Sequence, residues 1–219
     1  YAENVQGLQI SDSSFSENNS RWGGAICVTN MPGLQISNCL FLNNFVSDSG
    51  GAISMVSLNG FLIEESYFLN NSAINDDGAN GGALYLTDSN GILKNSIFAK
   101  NEAHDGGAIR VTDDSDVDIT QCAIADNIAT NVNHGGGVWA HDSEVSVTNS
   151  ILWNNSFQDL GNQLNSSTFS VNYSNVEEGA QGMGNMSEEP GFKDPRGNDY
   201  HLRSDSPCIN AGLDLTEYQ

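Results

Sequence analysis

Apolar residues in this chain come in short alternating bursts, and no burst is long. Leu34/Ile36, Val117/Ile119 and Val145/Val147 are spaced two apart, with Gly, Asn, Asp or Ser closing each stretch. Such alternation marks short strands with one buried face. No window carries the 3.6-residue stripe of an amphipathic helix. The pattern predicts an all-β protein.

The bursts themselves recur. "GGAI" begins at Gly23, Gly50 and Gly106, "GGAL" at Gly81 and "GGGV" at Gly135, at intervals of 27, 31, 25 and 29 residues. A second phrase reads "SSFSEN" (13–18), "CLFLNN" (39–44), "SYFLNN" (66–71), "SIFAKN" (96–101), "CAIADN" (122–127) and "SILWNN" (150–155), with a degenerate copy, "YSNV", at 173–176. A repeat of this length made only of short strands predicts a β-solenoid. The expected fold is a single-stranded right-handed parallel β-helix, with about seven rungs of ~27 residues and three strands per turn. Residues 1–156 form the repeats. Residues 157–219 hold a degenerate last rung and an irregular C-terminal cap, needed because an open last rung would present strand edges.

Each repeated letter then has a mechanical role. The paired glycines allow a sharp turn and close coil contact. Phe15, Phe41, Phe68, Phe98, Ile124 and Leu152 form an interior column, and Ser13, Cys39, Ser66, Ser96, Cys122 and Ser150 a second one of small side chains. Asn18, Asn44, Asn71, Asn101, Asn127 and Asn155 are expected to stack as a hydrogen-bonded ladder at a turn.

Charge narrows the partners. With 28 acidic residues against 7 Lys and Arg, the net charge is −21, which argues against nucleic-acid phosphates and anionic membrane surfaces as partners. No apolar run is long enough to span a bilayer, so direct membrane insertion is not expected. The chain opens at Tyr1 without a Met, inside a repeat, and reads as covalently part of something longer. Cys27, Cys39, Cys122 and Cys208 fit no zinc or disulfide spacing and are expected to be reduced. Six N-x-S/T sequons begin at Asn18, Asn70, Asn154, Asn165, Asn172 and Asn185, as expected by chance in part for so Asn-rich a chain.

The repeats resemble those of the polymorphic outer-membrane protein family, within the pectate-lyase-like superfamily of right-handed β-helices. The tail "EEPGFKDPRGNDYHLRSDSPCINAG" (188–212) looks like the end motif of secreted bacterial β-helix proteins, including those with choice-of-anchor domains. The resemblance implies a secreted or cell-surface, extracellular location. It does not choose an activity, because fold alone does not. The expected function is a non-catalytic module of a large secreted or cell-surface bacterial protein, making adhesive or glycan contacts. The alternative is a polysaccharide lyase or glycoside hydrolase module.

Candidate chemistry is sparse. A lyase needs a base and a neutraliser for a uronate carboxylate, and the nearest set is Lys100, His104 and Arg110, with Lys94 close in sequence. No cofactor is expected. A Ca²⁺ site is conceivable at Asp113, Asp114 and Asp116 of "TDDSDVDIT", although that stretch lacks the glycine and glutamate of an EF-hand loop. "INDDGAN" (74–80) is a weaker acidic turn. His104 and His134 precede the glycine turn in successive rungs and could meet. Alternation after the glycines sends Cys27, Ser54, Tyr85, Arg110 and Trp139 outward, with His141 two positions on. Tyr85, Arg110, Trp139 and His141 are therefore the candidate ligand-binding face, since aromatics beside Arg and His suit sugar rings. A covering loop would remove that face from solvent.

Overall fold

The computed structural model describes residues 2–3, 7–74, 78–132, 134–162 and 167–214. Asn165, and the Asn75–Asp77 part of "INDDGAN", fall outside them. Four parallel sheets wrap one coil, each strand paired only with its equivalents one coil earlier and later. The first three sheets have seven strands each. The first runs from Ala2–Glu3 to Leu160–Asn162, the second from Gln9–Ser11 to Thr168–Asn172, and the third from Ser14–Ser16 to Asn175–Val176. The β-solenoid expectation holds, and "YSNV" does supply the last rung, with Asn175 and Val176 beside Ile151 and Leu152.

The three-strand turn is corrected to four. A fourth sheet of five strands follows the ladder asparagines, as in Phe45–Ser49, Ser72–Ala73 and Glu102–Ala103. Two of those three strands are two residues long, too short to show alternation.

The corners explain the polar composition. One residue per corner in most coils has a left-handed backbone: Asn38, Glu65, Asn95, Gln121, Asn149 and Tyr173 between the second and third sheets. Glu17, Asn43, Asn70, Lys100, Asp126 and Asn154 do the same between the third and fourth. Asn and Asp tolerate that region better than other non-glycine residues.

Inside, the predicted columns are present. Phe15, Phe41, Phe68 and Phe98 stack with ring centroids 5.0, 4.6 and 4.7 Å apart, and Ile124 and Leu152 continue the register. In the ladder, each Asn backbone N–H and side-chain amide donates to the Oδ1 of the next coil's Asn, from Asn18 to Asn155. The amides of Asn44, Asn71, Asn101, Asn127 and Asn155 also donate to a third-sheet carbonyl one coil back. Asn44 through Asn127 are fully buried. Asn71→Ala strands the Asn44 donors and the Phe41 carbonyl, so it is expected to destabilise by about 1–3 kcal/mol. A denaturation midpoint equal to that of the parent would show that the ladder is ornamental.

The small-residue column is a ladder too: the N–H groups of Cys39, Ser66, Cys122 and Ser150 donate to the hydroxyls of Ser66, Ser96, Ser150 and Ser174. In a parallel column entering the second sheet, the N–H groups of Leu58, Ser89 and Ser143 donate to the hydroxyls of Ser89, Ser115 and Ser167; it went unrecognised in the sequence, where it is signalled by "DS" at 88–89, 114–115 and 142–143. All four cysteines are free. Burial pushes the Cys122 thiol up to about 12.

The C-terminal segment does more than close an end. Met183 and Met186 bond the backbone of the last coil at Tyr173, Ser174 and Val176. The chain then folds back along the flank, where the antiparallel pair Phe192–Asp194 and Asp199–Leu202 lies on the outer surface of the third sheet. Phe192 and Tyr200 cover Leu69, Ala99 and Ala125 there. The Tyr200 hydroxyl donates to Asp126 at 2.6 Å.

Candidate functional site

The first sheet carries the face predicted for ligand contact. Ser54, Tyr85, Arg110 and Trp139 are direct neighbours on consecutive coils, and Thr87, Thr112 and His141 form the column two residues on. Rungs ~4.8 Å apart therefore bring Tyr85, Arg110 and Trp139 side by side. The register is as the alternation implied.

Exposure is not. Trp139 is 3% exposed and Ser54 1%, although neither belongs to the interior cluster that holds Val138 and Ala140. The cover on Trp139 is His134, whose ring lies 3.9 Å from the indole, nearly parallel to it. The turn before the glycines, in which the His134 N–H donates to the Asn131 carbonyl, brings His134 there. Tyr85 and Arg110 remain half-buried, and burial raises the Tyr85 hydroxyl above its ordinary value, opposed by the Arg110 charge.

Asp105 organises the cluster. Its Oδ2 accepts from Arg110 at 2.6 Å. Its Oδ1 lies 2.8 Å from His104 Nδ1 and 2.5 Å from His134 Nδ1, and accepts from the Asn131 amide at 3.2 Å. Arg110 also donates to Asn80. His104 and His134 do meet, but across a carboxylate that also holds a guanidinium. Among the described residues no group of three or more His, Cys, Asp or Glu is arranged to hold a metal ion. His141 stands apart, 3.4 Å from the Thr112 hydroxyl and 3.7 Å from Asp142.

Three buried side-chain atoms among the described residues have no hydrogen-bond partner: Ser54 Oγ, Arg110 Nε and Trp139 Nε1. All three belong to this one outward column. Native structures leave few such groups, each costing roughly 1–3 kcal/mol, so their coincidence in one column singles it out.

The other candidates disperse. Lys100 lies away from His104 and Arg110: its ammonium donates to Asn198 Oδ1 at 2.6 Å and to the Arg196 carbonyl, pinning the C-terminal hairpin. Lys94 is exposed on the second sheet. Asp113 accepts from the Thr87 hydroxyl at 2.8 Å, while Asp114 and Asp116 point to solvent. Sequence reasoning missed Asp105 and Asn131, which carry no repeat signal.

No curated protein and no solved structure matches the chain. The family model described as "Right handed beta helix region" matches residues 1–177, the whole coil with its ladders. On that match and the coil itself, the chain belongs to the right-handed β-helix family.

Proposed function

We propose that the chain is a non-catalytic module of a large secreted or cell-surface bacterial protein, making adhesive contacts to glycans through Tyr85, Arg110 and His141 of the first-sheet face, with Trp139 as the covered support beneath His134. The observation that carries this reading is the juxtaposition of the half-buried Tyr85 and Arg110 on adjacent coils, with His141 two residues beyond the covered Trp139. Sugar hydroxyls are acceptors as well as donors, and a ring edge beside Tyr85 offers the apolar contact. The Arg110 charge is already matched by Asp105, which favours neutral sugars over acidic ones. The polymorphic outer-membrane-like repeats and the choice-of-anchor-like tail support the surface location. Polysaccharide cleavage finds less support, since Lys100 anchors the hairpin and His104 and Arg110 share one carboxylate.

On a glycan array, Arg110→Gln and Tyr85→Ala are expected to lose at least ~10-fold in signal, about 1.4 kcal/mol, with melting temperatures within a few degrees of the parent. Trp139→Ala is expected to lose stability as well, by about 3 kcal/mol, because the indole is buried. Undiminished array binding by the first two variants would rule this face out.

A further inference from the structure

On the third sheet, remote from the Arg110 column, the returning C-terminal segment leaves a groove of about 980 Å³ against the corner between the second and third sheets. The volume is that of a small-ligand cleft. Its floor is the outer surface of the third sheet, where Tyr67, Ile97, Ala123 and Ile151 follow one another on successive coils. One wall is the left-handed corner column. At its ends Asn38 donates to Asp12 at 2.6 Å, and Asn149 holds the tail by bonds to both the N–H and the carbonyl of Leu213. Between them Glu65, Asn95 and Gln121 are exposed. The tail forms the other wall through His201 and Asn210.

The geometry points to this groove as a binding cleft for a linear, uncharged oligosaccharide lying along the coil axis. An apolar strip flanked by amides matches the two sides of a pyranose, its C–H face and its hydroxyl edge. Carboxamides donate and accept at once, as hydroxyls do. One corner side chain per rung, ~4.8 Å apart, offers a repeating contact to a repeating ligand. The lining has no Lys or Arg, but it has Glu65 and Asp214, so an anionic polymer is repelled. An extended peptide is disfavoured as well: it binds sheets by pairing with a free edge, and the floor strands bond to their own neighbours on both sides. This cleft stands independently of the first-sheet face and has a separate readout.

The test is titration of the whole chain with uncharged linear β-linked oligosaccharides of three to six sugars, with acidic oligosaccharides and an extended peptide as comparators. The expected result is binding of an uncharged oligosaccharide that weakens at least ~10-fold in Asn95→Ala/Gln121→Ala and is unchanged in Lys94→Ala, an exposed second-sheet residue outside both glycan sites. Both substituted side chains are exposed, but their backbones are left-handed, so the double variant should melt below the parent and remain folded under the titration conditions. Absence of binding by every uncharged probe, equal binding by the double variant, or preference for the peptide or the acidic probes would each overturn the proposal. Loss of binding in Arg110→Gln alone would assign the glycan to the first sheet and overturn the cleft.

Discussion

Gly82→Ala is expected to destabilise the coil by more than about 4 kcal/mol, the range kept for severe core lesions, and so to abolish or nearly abolish folding. A Cβ at Gly82 would lie 2.1 Å from the Gly107 carbonyl oxygen and 2.6 Å from the Glu102 nitrogen. Both are backbone atoms of the neighbouring coil, held by the sheet ladders, so neither can swing aside. The same collision recurs at Gly24, Gly51 and Gly107, with the next coil's carbonyl 2.2, 1.9 and 2.4 Å away. The second glycine of each "GG" therefore sets how closely coils can stack. Gly60→Ala is the control: its φ is +75° but nothing lies within 4 Å, so only the left-handed strain of about 1–2 kcal/mol applies. Denaturant midpoints that fall equally in the two variants would show that coil contact is not what the glycine provides.

Asp159→Asn is expected to stabilise the protein above neutral pH and to flatten its pH dependence. Asp159 stands where the asparagine ladder would place its next member, and Asn155 donates to its Oδ1 through the side-chain amide at 2.7 Å. It is fully buried. Burial raises its carboxyl to about 7, the Asn155 bond opposes the rise, and the neighbouring Glu178 adds to it. An unfolded aspartate titrates near 3.9. Between pH ~4 and ~7 the folded state thus holds a proton that the unfolded state has released, so stability falls as pH rises through that window. The full penalty, on the order of 4 kcal/mol, is present above pH ~7 and absent below pH ~4. Asparagine removes the charge but leaves the Glu177 N–H, now bonded to Oδ2 at 2.9 Å, without its acceptor, at about 1 kcal/mol. The net gain should be about 2–3 kcal/mol at pH 8, with the variant no better than the parent at pH 4. Parallel stability curves for parent and variant would show that Asp159 is not the titrating group.

What the sequence revealed follows from what its repetition encodes. A ladder works only if the same residue returns at the same place in every coil, so Asn44, Asn71, Asn101 and Asn127 and the phenylalanine stack could be aligned by eye. The fourth strand could not, because Ser72–Ala73 and Glu102–Ala103 are too short to alternate. Alternation correctly sent Trp139 out of the coil interior. It could not foresee His134 lying on the indole, since that depends on the local turn in which the His134 N–H donates to the Asn131 carbonyl, not on the repeat. Lys100 looked like a base and proved to be an anchor because its partner Asn198 lies 98 residues away, beyond any local pattern. Asp105 is a hub for a related reason: Arg110, Asn131 and His134 reach it from the next coil.

The sheets of this protein bond coil to coil, so their hydrogen bonds lie along the solenoid axis. Tension applied end to end would load one rung interface at a time, in series, as a zipper is opened. A coil that yields, such as the 27 residues from Gly23 to Gly50, releases roughly 90 Å of contour in exchange for a rise of ~4.8 Å. A solenoid built this way lengthens in large discrete steps under load while the coils behind the break stay intact, and each step dissipates work.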